Sequence, residues 1–307
     1  MEQILQLRRI TIWGVGLIGG SLGLALKKNG FLGQRVGLGR NIGRLENALE
    51  HDAVDVITTA LAEGLRETDL VVLCTPVALV PMFVQQIIAS VDTRHQRIVL
   101  TDVGSTKSAL VDTIEAQLQE QRADALSFIG GHPMAGSHET GVGAARATLF
   151  EKATCILTPT PNTDADALAL IKNLWEFVGA VPHLLSPKIH DRLIGAASHL
   201  PHLIASILAN TVANVETEEG KALDFTATGF RDSTRIAAGS PDLWTDIFTQ
   251  NTDVLLSLID DIIENLTEFK TLLQTDNLAE VERVLLEAQV IVKQRREKLG
   301  GASVTPP

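Results

Sequence analysis

The stretch RITIWGVGLIGGSLGLALKKNG, residues 9–30, decides the fold. Its first part, RITIWGVG, is a short apolar run that predicts a β-strand. Its second part, SLGLALKKNG, has helical spacing and predicts a helix that closes on Gly30. A strand that feeds a helix through a glycine-rich loop is the first unit of an α/β sheet.

The loop between the two elements carries a Gly-x-Gly-x-x-Gly pattern. It consists of Gly14, Gly16 and Gly19, with Leu17 and Ile18 between the last two glycines. Gly14 permits a tight turn, Gly16 lets the backbone approach a pyrophosphate, and Gly19 allows close packing of helix on strand. The free N–H groups at the helix N-terminus would face the phosphates. The pattern therefore predicts a dinucleotide site; the alternative is a tight structural turn.

Short apolar runs continue to alternate with helical patterns as far as residue 185. QRVGLGR, LVVLCTP and RIVLTDVG predict the next strands, and SFIGGHP, ATCILTP and AVPHLLS predict the last ones. This alternation indicates right-handed crossover units, so we predict an α/β Rossmann-type parallel sheet domain over residues 1–185. Ser186 and Pro187 resemble an N-cap followed by proline at the first helical position.

Residues 186–307 carry no further strand signal, and we predict an all-α domain there. A wide apolar stripe at helical spacing is its clearest feature, formed by Leu255, Ile259, Ile262, Leu266, Phe269 and Leu273 and widened by Leu256 and Ile263. Such a stripe favours burial on more than one side, either inside a bundle or across a homodimer, so we predict dimerisation through this domain. The alternative is an ordinary core helix.

Composition excludes several classes of protein. Of 307 residues, 45% are hydrophobic and 21% charged, which is typical of a globular chain, and the net charge of -11 argues against nucleic-acid binding. Cys74 and Cys155 lie in apolar runs, which indicates reduced thiols and a cytoplasmic location. Residues 10–26 resemble a signal peptide, but they contain five glycines and no cleavage pattern follows, so we expect no signal or membrane segment.

The end of the second strand bears on the choice of cofactor. NAD enzymes place an acidic residue there for the ribose 2′-hydroxyl, whereas this chain has no carboxylate before Glu46. Arg40 could pair with a 2′-phosphate and Asn41 could donate a further hydrogen bond, which favours NADP and leaves NAD possible. Alternatively, Arg40 is a solvated surface residue. Thr75 and Pro76, which follow another strand, are predicted to line the cofactor site.

Four segments carry the remaining chemistry-bearing residues: TDVGSTK at 101–107, GGHPMAG at 130–136, SHLPH at 198–202 and GFRDSTR at 229–235. In sequence, order and spacing they resemble the prephenate/arogenate dehydrogenase family of tyrosine biosynthesis. The resemblance implies a Rossmann domain followed by a helical dimerisation domain. It also implies oxidative decarboxylation of prephenate or arogenate, with hydride transfer to a nicotinamide cofactor. The chain leaves no room for a fused mutase or regulatory domain, so we expect a monofunctional enzyme.

The resemblance also implies roles for four residues. His132 would accept the hydroxyl proton as a general base, and Ser105 would hydrogen-bond the substrate hydroxyl or His132. Arg235 would bind a substrate carboxylate through its planar guanidinium, and His199 would lie near the substrate pocket. Alternatively, Ser105 caps the following helix. We assign no metal, because no third ligand accompanies His199 and its neighbouring histidine.

Two other functions stay open from the sequence. One is another β-hydroxyacid-type dehydrogenase, which GGHPMAG and GFRDSTR disfavour. The other is a non-catalytic dinucleotide-binding redox sensor, which would have no need to keep Ser105, His132, His199 and Arg235 together. Their joint presence favours the enzyme.

Overall fold

The computed structural model describes residues 2–91, 96–136 and 139–300. The chain forms two compact units, residues 1–255 and residues 256–307. The first unit contains the whole sheet together with the helices up to residue 255. The predicted boundary near residue 185 therefore lies inside this unit. The division into a Rossmann domain and a helical domain at that residue stays a prediction.

An eight-stranded sheet forms the centre of the first unit, with the order β3-β2-β1-β4-β5-β6-β7-β8. Its strands are β1 (Arg9–Trp13), β2 (Gln34–Leu38), β3 (Val56–Thr58), β4 (Leu70–Leu73), β5 (Ile98–Asp102), β6 (Leu126–Pro133), β7 (Thr154–Thr158) and β8 (Val181–Leu184). The first six strands are parallel, as predicted. The carboxyl ends of these strands consequently share one edge, where α/β proteins bind ligands.

Strand β7 corrects the prediction of a wholly parallel sheet. It pairs antiparallel with β6, and β8 then pairs parallel with β7. The described part of the connection from β6 to β7 contains a single 3₁₀ turn, Val142–Ala144, and no α-helix. A parallel return needs a long crossover, which is usually helical, so the chain reverses direction here.

Helices of the first unit cover both faces of the sheet, and the last helices of the chain belong to the second unit. They are α1 (Glu2–Leu5), α2 (Leu17–Lys28), α3 (Ile42–Glu50), α4 (Leu61–Leu65), α5 (Val80–Ser90), α6 (Ser108–Glu120), α7 (Ala165–Phe177), α8 (Pro187–Ile194), α9 (Leu200–Ala213), α10 (Thr228–Thr234), α11 (Pro241–Gln250), α12 (Thr252–Gln274) and α13 (Leu278–Gly300). A short hairpin interrupts the predicted all-α region. Its two strands, β9 (Glu216–Thr217) and β10 (Gly220–Lys221), have two residues each. Strands this short leave no alternating pattern in the sequence.

Two apolar cores lie on the sheet. In one, Trp175 is fully buried and meets Phe150 edge-on, with ring centroids 5.2 Å apart. In the other, Trp13 stacks on Phe83 at 4.3 Å. Every residue of β1 is buried, as expected for a central strand that is covered on both faces. The loops at the strand ends are therefore held by a rigid support.

Helices α8 and α9 form one helical run, Pro187–Ala213, joined by a π-turn at Gly195–His199. Ser186 and Pro187 begin it as predicted, although the Ser186 side chain makes no capping hydrogen bond. Pro201 has no N–H, so the regular ladder cannot continue through it. Within the described ranges this run is the one helix whose length and apolar composition would allow it to cross a membrane.

The second unit consists of the α12 residues from 256 onward and α13. The predicted stripe helix is confirmed as α12. Several of its apolar side chains are exposed in the single chain, as are others on α13: Leu256, Ile263, Leu266, Leu273, Leu278, Leu285, Leu286 and Ile291.

Candidate functional site

The glycine loop leaves a cradle of backbone between β1 and α2. Gly14 has φ +99°, and a Cβ there would lie 2.5 Å from the carbonyl oxygen of Cys74. A Cβ on Gly19 would lie 2.2 Å from the carbonyl oxygen of Gly14, whereas one on Gly16 would meet no atom within 4 Å. Gly16 is also the N-cap of α2, and no side chain caps that helix. The helix N–H groups are thus open to a phosphate, which fits a dinucleotide.

A cavity of about 690 Å³ extends from this loop along α3. Of the predicted cofactor residues, Gly14, Gly16, Arg40 and Asn41 line it together with the Thr75–Pro76 pair. Leu17, Ile18 and Gly19 do not; they form the first turn of α2 behind the loop. The sequence missed several other residues of the wall: Arg44, Asn47, His51 and the segment 140–143.

The wall of this cavity next to β2 carries two guanidinium groups, those of Arg40 and Arg44, and none of the lining residues within the described ranges is acidic. Asn41 Oδ1 accepts a hydrogen bond from the backbone N–H of Arg44 at 3.0 Å and so caps α3. The Asn41 side chain, which lines the cavity, keeps its amide nitrogen as a further donor. The sequence signal for Arg44 was available, because it lies in the first turn of the helix that follows the second strand.

A buried ion pair holds the loop after β5. Lys107 and Asp102 are both fully buried, with Lys107 Nζ 2.6 Å from Asp102 Oδ2. The same carboxylate accepts the backbone N–H of Gly104 at 2.7 Å and, through Oδ1, that of Gly131 at 3.1 Å. Asp102 therefore ties the loop containing Ser105 to the strand residue that precedes His132.

His132 belongs to a chain of three buried side chains. His132 Nδ1 lies 2.9 Å from His190 Nε2, and His190 Nδ1 lies 2.8 Å from Asp191 Oδ1. Asp191 also accepts the backbone N–H groups of Lys107 and Ser108, at 2.8 and 2.7 Å, at the N-terminus of α6. The Asp191 carboxylate thus accepts from three N–H donors, which fix its position between α8 and α6.

The carboxylate determines where the protons lie in this chain. Because Asp191 accepts, His190 donates from Nδ1 and keeps a lone pair on Nε2. His132 must then donate from Nδ1, which leaves its own Nε2 basic. Burial lowers the pKa of His132 well below the usual value, and neighbouring His190 and Lys107 lower it further. His132 is therefore neutral at physiological pH and able to accept a proton.

His199 and His202 lie on the other side of Asp191. Asn251 Nδ2 donates to the Asp191 carbonyl oxygen at 3.0 Å and lies 3.1 Å from His199 Nδ1. His202 stacks on Trp244 with ring centroids 3.6 Å apart. His199 Nε2 and His202 Nδ1 are buried and have no hydrogen-bond partner in the described part of the chain. Burial lowers the pKa of His199 to about 4.

The structure places the other two predicted residues differently. Ser105 is half-buried beside the Asp102–Lys107 pair. The alternative that Ser105 caps a helix is wrong, because α6 begins at Ser108 and the Asp191 carboxylate caps it. Arg235 is exposed and has no ion pair among the described residues; it begins the 3₁₀ turn Arg235–Ala238, which packs against α9, the helix that carries His202. The nearby Arg231 pairs with Asp232 at 3.0 Å.

The sequence missed the residues that organise the cluster, above all His190, Asp191 and Asn251. A signal for the first two was present, because both lie with Pro187 and Ile194 on the buried face of α8. Polar side chains on an apolar helix face need partners. Nothing near Asn251 in the sequence indicated its role.

Comparison with known proteins shows similarity along almost the whole chain. The model of the prephenate dehydrogenase nucleotide-binding domain matches residues 22–184, and that of the prephenate dehydrogenase dimerization domain matches residues 186–287. The chain is 35% identical over 280 residues to a prephenate dehydrogenase of Bacillus subtilis, covering 91% of this chain and 74% of the relative.

Two solved structures are similar over nearly their full length. One is the prephenate dehydrogenase of Aquifex aeolicus in complex with hydroxyphenyl propionate and NAD+, with a TM-score of 0.84, 33% identity, and coverage of 95% of this chain and 98% of that one. The other is the arogenate dehydrogenase of Synechocystis, with a TM-score of 0.80, 29% identity, and coverage of 94% and 99%.

Proposed function

Because this chain belongs to the prephenate dehydrogenase family, we propose that it catalyses the oxidative decarboxylation of prephenate or arogenate in tyrosine biosynthesis. The observation that supports this most directly is the hydrogen-bonded chain from Asp191 through His190 to His132. It presents a neutral, oriented imidazole at the ligand-binding edge of a dinucleotide-binding sheet. A redox sensor would have no use for such a base.

His132 acts on the ring hydroxyl of the substrate. Its Nε2 accepts the hydroxyl proton while hydride leaves the carbon that bears the hydroxyl and the ring carboxylate departs as carbon dioxide. The nicotinamide, when bound, accepts the hydride. A positioned general base contributes about 10²- to 10⁴-fold to the rate. His190 orients the His132 ring, because its Nε2 lone pair accepts from His132 Nδ1 and Asp191 holds its other nitrogen.

Ser105 and the Asp102–Lys107 pair organise the neighbouring loop. Asp102 holds the backbone of Gly104 and Gly131 at the same time. The Ser105 hydroxyl is thereby kept close to the strand that carries His132, where it can hydrogen-bond the substrate hydroxyl or His132 itself. The positive charge of Lys107 disfavours protonation of the resting His132.

Cationic and donor groups bind the substrate, which is an anion. Arg235 offers an exposed guanidinium with no ion-pair partner among the described residues, and a planar guanidinium binds a carboxylate through two hydrogen bonds. His199 offers a buried nitrogen that also has no protein partner in the described ranges. A local cation outweighs the net charge of -11 for so small a ligand.

NADP is the proposed cofactor, with NAD as the less favoured one. Arg40 and Arg44 supply two positive charges at the wall of the cavity next to β2, and Asn41 adds a free amide donor. A 2′-phosphate gains charge-assisted hydrogen bonds there. Among the residues that the structure describes, no acidic side chain lines the cavity to bind the ribose hydroxyl.

We also propose that the active form is a cytoplasmic homodimer. Exposed leucine and isoleucine side chains on α12 and α13 form an apolar surface that water disfavours. Burial of that surface against a second copy would satisfy the stripe predicted from the sequence. Both cysteines are free, in keeping with a reducing compartment. Sedimentation at several protein concentrations tests the oligomeric state.

A steady-state assay of the purified protein tests the reaction. Prephenate and arogenate are each offered with NAD and with NADP, and cofactor reduction is followed at its absorbance. We expect turnover with at least one of the two substrates, and faster turnover with NADP. If no pair reacts although dinucleotide still binds, the proposed reaction is rejected in favour of another substrate or a sensor.

A further inference from the structure

Asn251 occupies the junction between α11 and α12, where its side chain is 5% exposed. Its amide nitrogen serves two acceptors, the Asp191 carbonyl oxygen at 3.0 Å and His199 Nδ1 at 3.1 Å. These partners lie 60 and 52 residues away along the chain. One amide group thus joins α8 to the π-turn that follows it.

The carbonyl of Asp191 settles the orientation of this amide. A carbonyl oxygen only accepts hydrogen bonds, so the Asn251 atom that faces it has to be the NH₂ group. In the flipped orientation two acceptor oxygens would face each other in a buried site. The same NH₂ group faces His199 Nδ1, which must therefore accept. Neutral His199 consequently carries its proton on Nε2.

We propose that Asn251 is a positioning residue that holds His199 as a hydrogen-bond donor toward an acceptor oxygen of the substrate. The identity of that substrate, a carboxylate-bearing cyclohexadienol, rests on the proposed function. The second observation is the buried Nε2 of His199, which has no partner within the described ranges. Buried N–H groups are almost always paired, so a ligand oxygen or a water completes this one.

The same logic gives His132 and His199 opposite tautomers. The Asp191 carboxylate, acting through His190, leaves His132 with a lone pair on Nε2. The Asp191 carbonyl, acting through Asn251, leaves His199 with a hydrogen on Nε2. One histidine takes a proton and the other donates a hydrogen bond. The backbone and the side chain of a single residue determine both.

Nitrogen NMR of the histidine rings reads the tautomer directly in the ligand-free, full-length protein. The protein is labelled with ¹⁵N-histidine, and the His199 signals are assigned by their loss in His199→Gln. At neutral pH we expect the pyrrole-type shift at Nε2 and the pyridine-type shift at Nδ1. The reverse pattern would overturn the proposal, whether or not Asn251→Asp folds.

An Asn251→Asp variant reverses the hydrogen-bond donor and tests the consequence for binding. At alkaline pH the carboxylate draws the His199 proton to Nδ1, so a lone pair faces the substrate oxygen. We expect KM for the substrate to rise about 10- to 100-fold, with a smaller change in kcat, because the bond exists in ground and transition states. Asn210→Asp, at an exposed position of α9, makes the same chemical change away from the cluster.

Lower pH should reverse the effect in Asn251→Asp. His199 then takes a second proton beside the new carboxylate, Nε2 again carries hydrogen, and KM returns toward the wild-type value. The other groups that act on His199 are Asp191, which raises its pKa, and His190, which lowers it; neither changes in the variant. A purely structural defect would not recover on acidification.

The outcomes separate this inference from the proposed function. A KM in Asn251→Asp equal to that of Asn210→Asp at both pH values would overturn the role of Asn251. If wild-type protein turns over neither cyclohexadienol, the proposed reaction fails, while the Nε2–H tautomer would still support the assignment of Asn251.

Discussion

The cofactor cavity and the histidine cluster hold their ligands by different means. The cavity is open and built around backbone, with Gly14 and Gly16 lining it, no side chain capping the N-terminus of α2, and Arg40 adding charge at the wall. The cluster is buried and built from side chains, and its nitrogen atoms are organised by Asp191. Substitutions should therefore act locally in the cavity, whereas in the cluster they should spread through shared partners.

The largest effect is expected from the cluster. His132→Ala removes the base, so kcat should fall by about 10²- to 10⁴-fold, while cofactor affinity stays close to wild type. Steady-state kinetics and dinucleotide titration measure the two quantities. His183→Ala, at an exposed histidine of β8, is the matched control. Near-normal turnover in His132→Ala would remove this residue from the mechanism.

The next largest effect is expected on stability, from the buried ion pair of Lys107 and Asp102. Lys107→Met leaves the Asp102 charge uncompensated, and the free energy of unfolding should fall by about 3–5 kcal/mol. Arg231→Met breaks an exposed pair and should change it by less than about 1 kcal/mol. Denaturant unfolding measures both. Equal stability of the two variants would contradict the expected difference between the buried and the exposed ion pair. The double variant Asp102→Asn/Lys107→Met should recover part of the lost stability, because no unpaired charge then remains.

Two glycines of one loop should separate folding from binding. Gly19→Ala forces a methyl group against the Gly14 carbonyl and should cost about 1–3 kcal/mol of stability. Gly16→Ala meets no protein atom, so the melting temperature should hold, while the same steric cost falls on the cofactor and weakens its binding about 5- to 100-fold. A stable Gly16→Ala protein with normal cofactor affinity would show that phosphate does not approach there.

The guanidinium of Arg40 should set cofactor preference. In Arg40→Asp, loss of a charge-assisted hydrogen bond should lower the ratio of NADP to NAD efficiency by about 10- to 100-fold. The kcat/KM values for the two cofactors give this ratio. Arg66→Asp serves as control, because Arg66 is an exposed arginine that precedes β4 and does not line the cavity. An unchanged ratio would mean that Arg40 is only solvated.

The smallest expected effect is the change in stability per unit of pH. Burial holds the pKa of His199 at about 4 in the folded chain, below the usual 6.5. The unfolded chain therefore binds more protons between these values. Stability is fully present above pH 6.5 and is lost as pH falls toward 4, by up to about 1.4 kcal/mol per pH unit for one such group. In His199→Gln the melting temperature should therefore fall less steeply as pH is lowered through this range. An unchanged slope of melting temperature against pH would refute a buried neutral His199.

The sequence predicted the cavity better than the cluster for a physical reason. Gly14, Gly16 and Gly19 act within one loop, so their spacing alone carries the geometry. His190 and His132 are 58 residues apart, and Asp191 reaches Lys107 across 84 residues. No local pattern records such contacts, and His132 itself was found through family resemblance. Antiparallel β7 escaped prediction because an apolar strand reads the same in either direction.

The π-turn at Gly195–His199 has a consequence for how this chain tolerates change. In an uninterrupted α-helix each residue advances by about 100°, so twelve residues would turn His202 about 120° away from His190. One extra residue in the turn offsets most of that rotation and keeps both rings on the buried side of the run. Surface positions along this run can vary in composition. Its length cannot: removal of one residue before Pro201 would rotate every downstream side chain out of phase with the upstream ones.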